Sequence, residues 1–213
     1  MENKLRQLQL IEFELLKEFK SICEANQLTY YISGGTFLGA IRHKGFIPWD
    51  DDVDVAMPRK DYERFLKIAP ELMKNQSAVM HYTIEKESKR PYIRLINRSV
   101  QVRNKSWQVS KIEPAWIDVF PLDGMPSSYF RVTIHKVHLL YRKVMVGFAN
   151  YEYVQDNKPN RPWYEKALMA LNNITGFGKH LDLYKQYDKL ENTLRRYSDG
   201  KSKVYFNFHG AYR

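Results

Sequence analysis

A single cysteine, Cys23, is all the thiol chemistry the chain offers. One thiol closes no internal disulfide and has no cysteine partner for a zinc site, which points to a reducing compartment, the cytoplasm. Long apolar runs are missing as well: none approaches the ~20 residues that cross a bilayer. The opening MENKLRQLQLIEF is charged and amphipathic, without the apolar centre of an export signal. The expectation is a soluble protein, at most peripheral to the inner face of a membrane. The nine prolines and ten glycines are scattered, so no linker or low-complexity tract stands out. Zinc-finger spacing, a homeodomain signature and an RNP-like aromatic motif are all wanting, which argues against nucleic acid as the partner. His135 and His138 are three apart but fall in a basic helical stretch, so they do not read as a zinc pair.

What is present suits an enzyme. The 213 residues can bury a sizeable core, and 44% of them are hydrophobic. The formal charge of +10 asks for anionic company: a nucleotide, a phosphorylated glycan or an anionic membrane face.

Apolar residues at helical spacing (Leu5, Leu8, Ile11, Leu15, Phe19, Ile22) predict an amphipathic helix over 5–25. Tyr30 to Ile32 reads as a short strand, Ser33-Gly34-Gly35-Thr36 as a turn, and Phe37 to Ile41 as the helix that follows. In Asp52-Val53-Asp54-Val55 the period of two puts both carboxylates on one face of a strand that Pro58 ends. A helix over 60–73 turns Tyr62, Phe65, Leu66 and Ile68 inward. Strands are expected at 82–84, 92–96 and 100–102, and at 115–120 with Pro121 closing the last. From about Tyr129 to Arg196 the pattern is mostly helical, with a polar break at 155–161. The fold class is α/β (α+β), a mixed sheet with an N-terminal helix and a mainly helical C-terminal part. The expected division is a catalytic core over 1–125 and the helical part over 126–213.

Four aspartates occupy positions 50 to 54 of a chain with strong positive excess. Such carboxylates repel one another by roughly 1 kcal/mol per pair in water unless a cation offsets them. Hard divalent ions bind through carboxylate and phosphate oxygens, so Asp52 and Asp54 make a platform for Mg2+ or Mn2+. Asp118, set among strand-forming apolar residues where a lone carboxylate is costly, is the third candidate. Gly34 and Gly35 leave backbone N–H groups approachable, Ser33 and Thr36 add hydroxyls, and a helix begins just beyond, which favours a phosphate. Asp50 and Asp51 read as a solvated turn before the strand, and Asp123 as shaping a turn from Pro121 to Gly124. Arg94 reads equally as a phosphate contact or a surface cation. The aromatic and basic stretch 129–153 reads as a helix covering the domain, with contact to an anionic membrane as the second reading.

The run YYISGGTFLGAIRHKGFIPWDDDVDVAMPRKDYERF, Tyr30 to Phe65, resembles the signature of the LicD family of phosphotransferases, and WIDVFPLDG, Trp116 to Gly124, resembles its second block. The segment CEANQL, Cys23 to Leu28, is similar to what precedes that signature. The resemblance implies a nucleotidyltransferase-like sheet and transfer of phosphorylcholine, or a related alcohol phosphate, from a CDP-linked donor such as CDP-choline. The implied acceptor is a hydroxyl of a cell-surface glycan or glycolipid: teichoic acid, lipopolysaccharide or capsule precursor. By motif, Asp52 and Asp54 would hold the metal and Asp118 would be a third ligand or the base for the acceptor proton. Gly34, Gly35 and Thr36 would hold the donor's phosphates, with Arg42 and Lys44 pairing its diphosphate. Family members continue where this sequence closes on VYFNFHGAYR, so a short or partial chain is expected. Two other readings share the acidic run: nucleotidyl transfer to a phosphorylated alcohol, and a non-catalytic metal-binding module. The run lacks the Gly and Glu of an EF-hand loop.

Overall fold

The computed structural model describes residues 2–74, 76–86, 88–106, 109–151, 162–198, 200 and 202–209. The chain forms two compact units, one of Met1–Val102, Glu113–Asp123 and Tyr205–Arg213, the other of Arg103–Ile112 and Gly124–Val204. In chain order the described elements of the first half are α1 (Glu2–Ala25), β1 (Tyr31–Ile32), α2 (Gly34–His43), β2 (Asp54–Pro58) and α3 (Arg59–Leu72). Then come β3 (Ser77–Met80), β4 (Ile93–Ser106) and β5 (Val109–Gly124), followed by α4 (Tyr129–Ala149), α5 (Trp163–Thr175), a 3-10 turn at Phe177–His180, α6 (Leu183–Arg195) and β6 (Tyr205–Phe206).

The sheet runs β1-β2-β5-β4-β3, with β6 pairing β5. It is mixed: β1 is antiparallel to β2, β2 parallel to β5, and β3 antiparallel to β4. The expected α+β class with an N-terminal helix is what the chain forms. The alternation at 52–55 sorts the side chains as expected, since Val53 and Val55 are buried while Asp52 is exposed and Asp54 half-buried. Behind the valines, Leu15, Phe19 and Ile22 of α1 meet Tyr62 and Phe65 of α3 in one apolar cluster. The Phe19 ring packs edge-on against Phe65 at 5.0 Å and Tyr30 at 5.1 Å, the geometry aromatic quadrupoles prefer. Cys23 lies in this cluster, and burial pushes its thiol up to about 12, which makes it inert.

Three expectations are corrected. Residues 82–84 are a turn, closed by the Ile84 N–H on the His81 carbonyl at 2.9 Å, and the strand lies earlier, in β3. β5 does not stop at Pro121: it continues to Gly124, with Pro121 opposite Met57 and Leu122 opposite Pro58. Proline removes one donor without forbidding extended backbone, so the register survives it. Asp123 is therefore in a strand and shapes no turn. It is fully buried and takes a bidentate pair from Arg59, at 2.7 and 2.6 Å.

In the second unit α4 packs on α6. Asp182 caps α6 by accepting from the Tyr184 and Lys185 amides at 2.9 and 3.1 Å, and Gly176 ends α5 in the left-handed conformation. The expected polar break at 155–161 lies outside the described residues.

Candidate functional site

The first unit brings most of the sequence-predicted acids together along β2 and β5. Asp54 and Asp118 are direct partners in the parallel register, and the Asp118 amide donates to the Val53 carbonyl at 2.9 Å. Two carboxylates from separate stretches of chain thus lie side by side on neighbouring strands. Asp52 lies before β2 begins, in a loop where Asp50, Asp51 and Asp52 offer oxygens all within 4.8 Å of one another. Asp50, read from sequence as a solvated turn, is only half exposed. Burial and the neighbouring Asp51 raise its carboxyl above the ordinary range, against hydrogen bonds from the Asp52 side chain and the Asp51 backbone.

The glycine turn is the first turn of α2, and its lack of side chains is used by the acids. A Cβ on Gly34, whose φ is +56°, would meet Asp54 Oδ2 at 3.3 Å, and one on Gly35 would meet Asp50 Oδ2 at 2.6 Å. Thr36 Oγ1 accepts from the Asp54 amide at 2.8 Å, and the Ser33 amide donates to the Asp54 carbonyl at 3.0 Å, so the start of α2 and the start of β2 are stitched together. The positive end of the helix faces these carboxylates. A phosphate approaching here needs a cation between itself and the acids.

Two expected phosphate partners separate. Lys44 ends α2 in the left-handed conformation and lines a cleft of about 330 Å³, together with Arg6, Phe13, Thr36, Asp50 and Asp52. Arg42 is exposed and does not line that cleft.

Arg94 is no surface cation. It is 7% exposed, donates through Nε to Asp118 Oδ1 at 2.7 Å, lies 3.7 Å from Glu113 and stacks over Trp116 at 4.0 Å. The pair fixes the orientation of Asp118, and the second oxygen, at 3.5 Å from Nη2, is the more loosely held.

Two residues of α1 went unread in the sequence. Gln9 is buried and donates to the Asp50 carbonyl at 2.9 Å and the Ile47 carbonyl at 3.3 Å, which pins the acidic loop to the helix. Glu12 is 1% exposed, and among the described residues its Oε2 has no hydrogen-bond partner. Burial first, then Asp52, Asp51, Asp50 and Asp118, pushes its carboxyl from 4.5 up to about 9. A folded-state value raised in this way contributes stability below the ordinary carboxylate range that is lost as pH climbs towards the folded value. In chelator-treated protein, unfolding free energy from urea titrations should therefore fall between about pH 5 and 9, and Glu12→Gln should flatten that slope. Parallel slopes for the two proteins would contradict this.

The loop also depends on Gly39. A Cβ there would sit 2.6 Å from the Gly45 carbonyl oxygen and 2.9 Å from the Ile47 nitrogen, both backbone atoms with little freedom to move. Gly39→Ala should cost about 1–3 kcal/mol in a chemical denaturation curve. Gly45→Ala, which meets nothing within 4 Å, should stay within about 0.5 kcal/mol of the parent.

An all-oxygen, carboxylate-rich donor set with a buried acid nearby, one oxygen of which has no hydrogen bond among the described residues, fits Mg2+ or Mn2+ better than a soft metal. Asp50 and Asp52 of the loop would hold such an ion, while Asp54 and Asp118, paired on neighbouring strands, stand outside that group of close oxygens.

A family model described as LicD/FKTN/FKRP, nucleotidyltransferase domain, matches residues 27–151. The lipopolysaccharide cholinephosphotransferase LicD of Haemophilus influenzae is 35% identical over 152 residues, covering 68% of this chain and 54% of that protein. An uncharacterised protein of Rickettsia typhi is 25% identical over 187 residues, 88% of this chain and 45% of its own. The chain spans about half the length of these two relatives.

Proposed function

The chain belongs to the LicD family, and on that premise we propose that it transfers phosphorylcholine, or a related alcohol phosphate, from a CDP-linked donor to a hydroxyl of a cell-surface glycan with the help of Mg2+ or Mn2+. The observation that carries this reading is the pairing of Asp54 with Asp118 in register beside the Asp50–Asp52 loop, because phosphoryl transfer asks chiefly for positioned charge. The relative from Haemophilus, named for cholinephosphate transfer to lipopolysaccharide, supports this choice of group and acceptor.

A divalent ion held here would neutralise the donor's phosphate oxygens and charge developing on the transferred group. The chain's own residues do the rest. Asp52 would hold the ion together with its loop neighbour Asp50, and Asp54 would add an oxygen from the start of β2. Asp118, oriented by Arg94, is a further ligand or takes the acceptor's proton. Lys44 and Arg6 at the cleft supply positive charge to the diphosphate, and Thr36 keeps the strand edge in place. Leu10 and Phe13 add apolar surface to the lining of the same cleft.

Among the described residues, no helix is long and apolar enough to cross a membrane. The exposed face of α4, with Tyr129, Phe130, Val137 and Leu140, supports peripheral contact with the membrane where lipid-linked acceptors reside.

The deciding experiment incubates the protein with CDP-choline, glycan acceptor and Mg2+ and identifies the small product. Release of CMP with a choline-phosphate-bearing glycan is expected. Pyrophosphate released from CTP and a phosphorylated alcohol would mean nucleotidyl transfer instead, and tight Ca2+ binding without any nucleotide binding would mean a non-catalytic module.

A further inference from the structure

We propose that Glu12 of α1 supplies a carboxylate to the divalent cation held at the Asp50–Asp52 loop, making the first helix part of the metal site rather than only its support. The proposal rests on the metal-dependent reading above and adds to it a residue from a different element.

Three observations converge on it. The first is that Glu12 is buried to 1% exposure with an oxygen, Oε2, that no hydrogen bond among the described residues satisfies. Ionising a carboxyl so placed is costly unless a cation meets it, and buried charges are ordinarily paired or bound to metal. The second is the sign of its surroundings, since the charges acting on it are Asp52, Asp51, Asp50 and Asp118, all acidic. A ligand that satisfies Glu12 must therefore be a cation or bring one.

The third is that the loop is tied to the helix beside Glu12. Gln9, one turn before Glu12 on the same face, is 3% exposed and holds the carbonyls of Ile47 and Asp50, which fixes the loop against the helix. The loop's own oxygens fall within 4.8 Å of one another, a separation that ligands across an ion at roughly 2.1–2.4 Å would show; Glu12 stands outside that set of three and would reach the ion from the helix. Salt bridges elsewhere on α1 are exposed and local, such as Glu14 with Lys17 and Lys20 with Glu24, so a buried acid at position 12 is out of keeping with the helix's surface pattern.

The test is a Mg2+ and Mn2+ titration followed by calorimetry and by thermal unfolding, on the parent, Glu12→Gln, Glu12→Asp and the exposed control Glu14→Gln. In chelator, Glu12→Gln should melt at or above the parent temperature, because a neutral amide replaces a buried carboxylate. With metal added, the parent and Glu14→Gln should gain melting temperature, while Glu12→Gln should bind at least tenfold more weakly and lose most of that gain. Glu12→Asp, which keeps the charge but shortens the reach, should fall between. Parental metal affinity in both Glu12 variants would overturn the role of Glu12 and leave the metal site standing. A parent protein indifferent to both ions would overturn the metal reading itself, and this inference with it.

Discussion

Asp54→Asn and Asp52→Asn should each lower turnover of a CDP-linked donor by about 10³-fold or more, roughly 4 kcal/mol of transition-state stabilisation. The magnitude follows from what each change removes. An amide oxygen is a weaker ligand for a hard ion than a carboxylate, and a site that works by electrostatic positioning loses charge where it matters. Asp54 carries the larger expectation because its place is over-determined: its amide is held by Thr36, its carbonyl by Ser33, and its strand partner is Asp118. The backbone contacts survive the substitution, so the variant should fold normally and the loss should appear in kcat rather than in stability. Turnover within a few-fold of the parent for both variants would show that these carboxylates do not serve the chemistry.

The second large effect concerns stability. Arg59, the first residue of α3, is 4% exposed, and its partner Asp123 on β5 is 0% exposed. Removing one member leaves a buried charge without its counter-ion, so Arg59→Ala and Asp123→Ala should each cost about 3–5 kcal/mol in urea unfolding. Replacing both by apolar residues of similar volume, Arg59→Met with Asp123→Leu, should recover most of that loss, since the desolvation of two ions disappears with them. A double variant no better than the singles would mean that the pair matters through shape rather than charge. The pair also bears on the site, because Arg59 directly follows Pro58, the residue that ends β2 opposite Leu122. Its loss should therefore loosen the strand that carries Asp54.

Much of this was legible in the residues. The alternation of Asp52 and Asp54 with two valines survives in the buried Val53 and Val55, because period two is a local property of extended chain. Asp118 could be matched to the pair from its apolar neighbours together with the resemblance of the block around it, and the register puts it opposite Asp54. What escaped was long-range or disguised. The stripe of α1 was drawn through Ile11, but the helix turns Glu12 fully inward and leaves Ile11 half-buried. One acid in an amphipathic helix looks like its solvent face. Arg94 and Arg59 find partners 24 and 64 residues away, and nothing in the local sequence distinguishes them from surface cations. The turn at 82–84 shows the converse failure: Tyr-Thr-Ile has strand-forming composition, yet the His81 carbonyl captures the Ile84 amide and closes a turn.

Metal-dependent engagement of the donor is the claim on which the rest depends, and thermal unfolding with CDP-choline tests it most directly, since a ligand bound at 100 times its Kd stabilises by about 2.7 kcal/mol. CDP-choline with Mg2+ should raise the melting temperature of the parent protein, CDP-choline with chelator should not, and Asp54→Asn should respond to neither. An equal rise with and without chelator would contradict a site in which the acidic loop and the paired strands meet the donor through a cation.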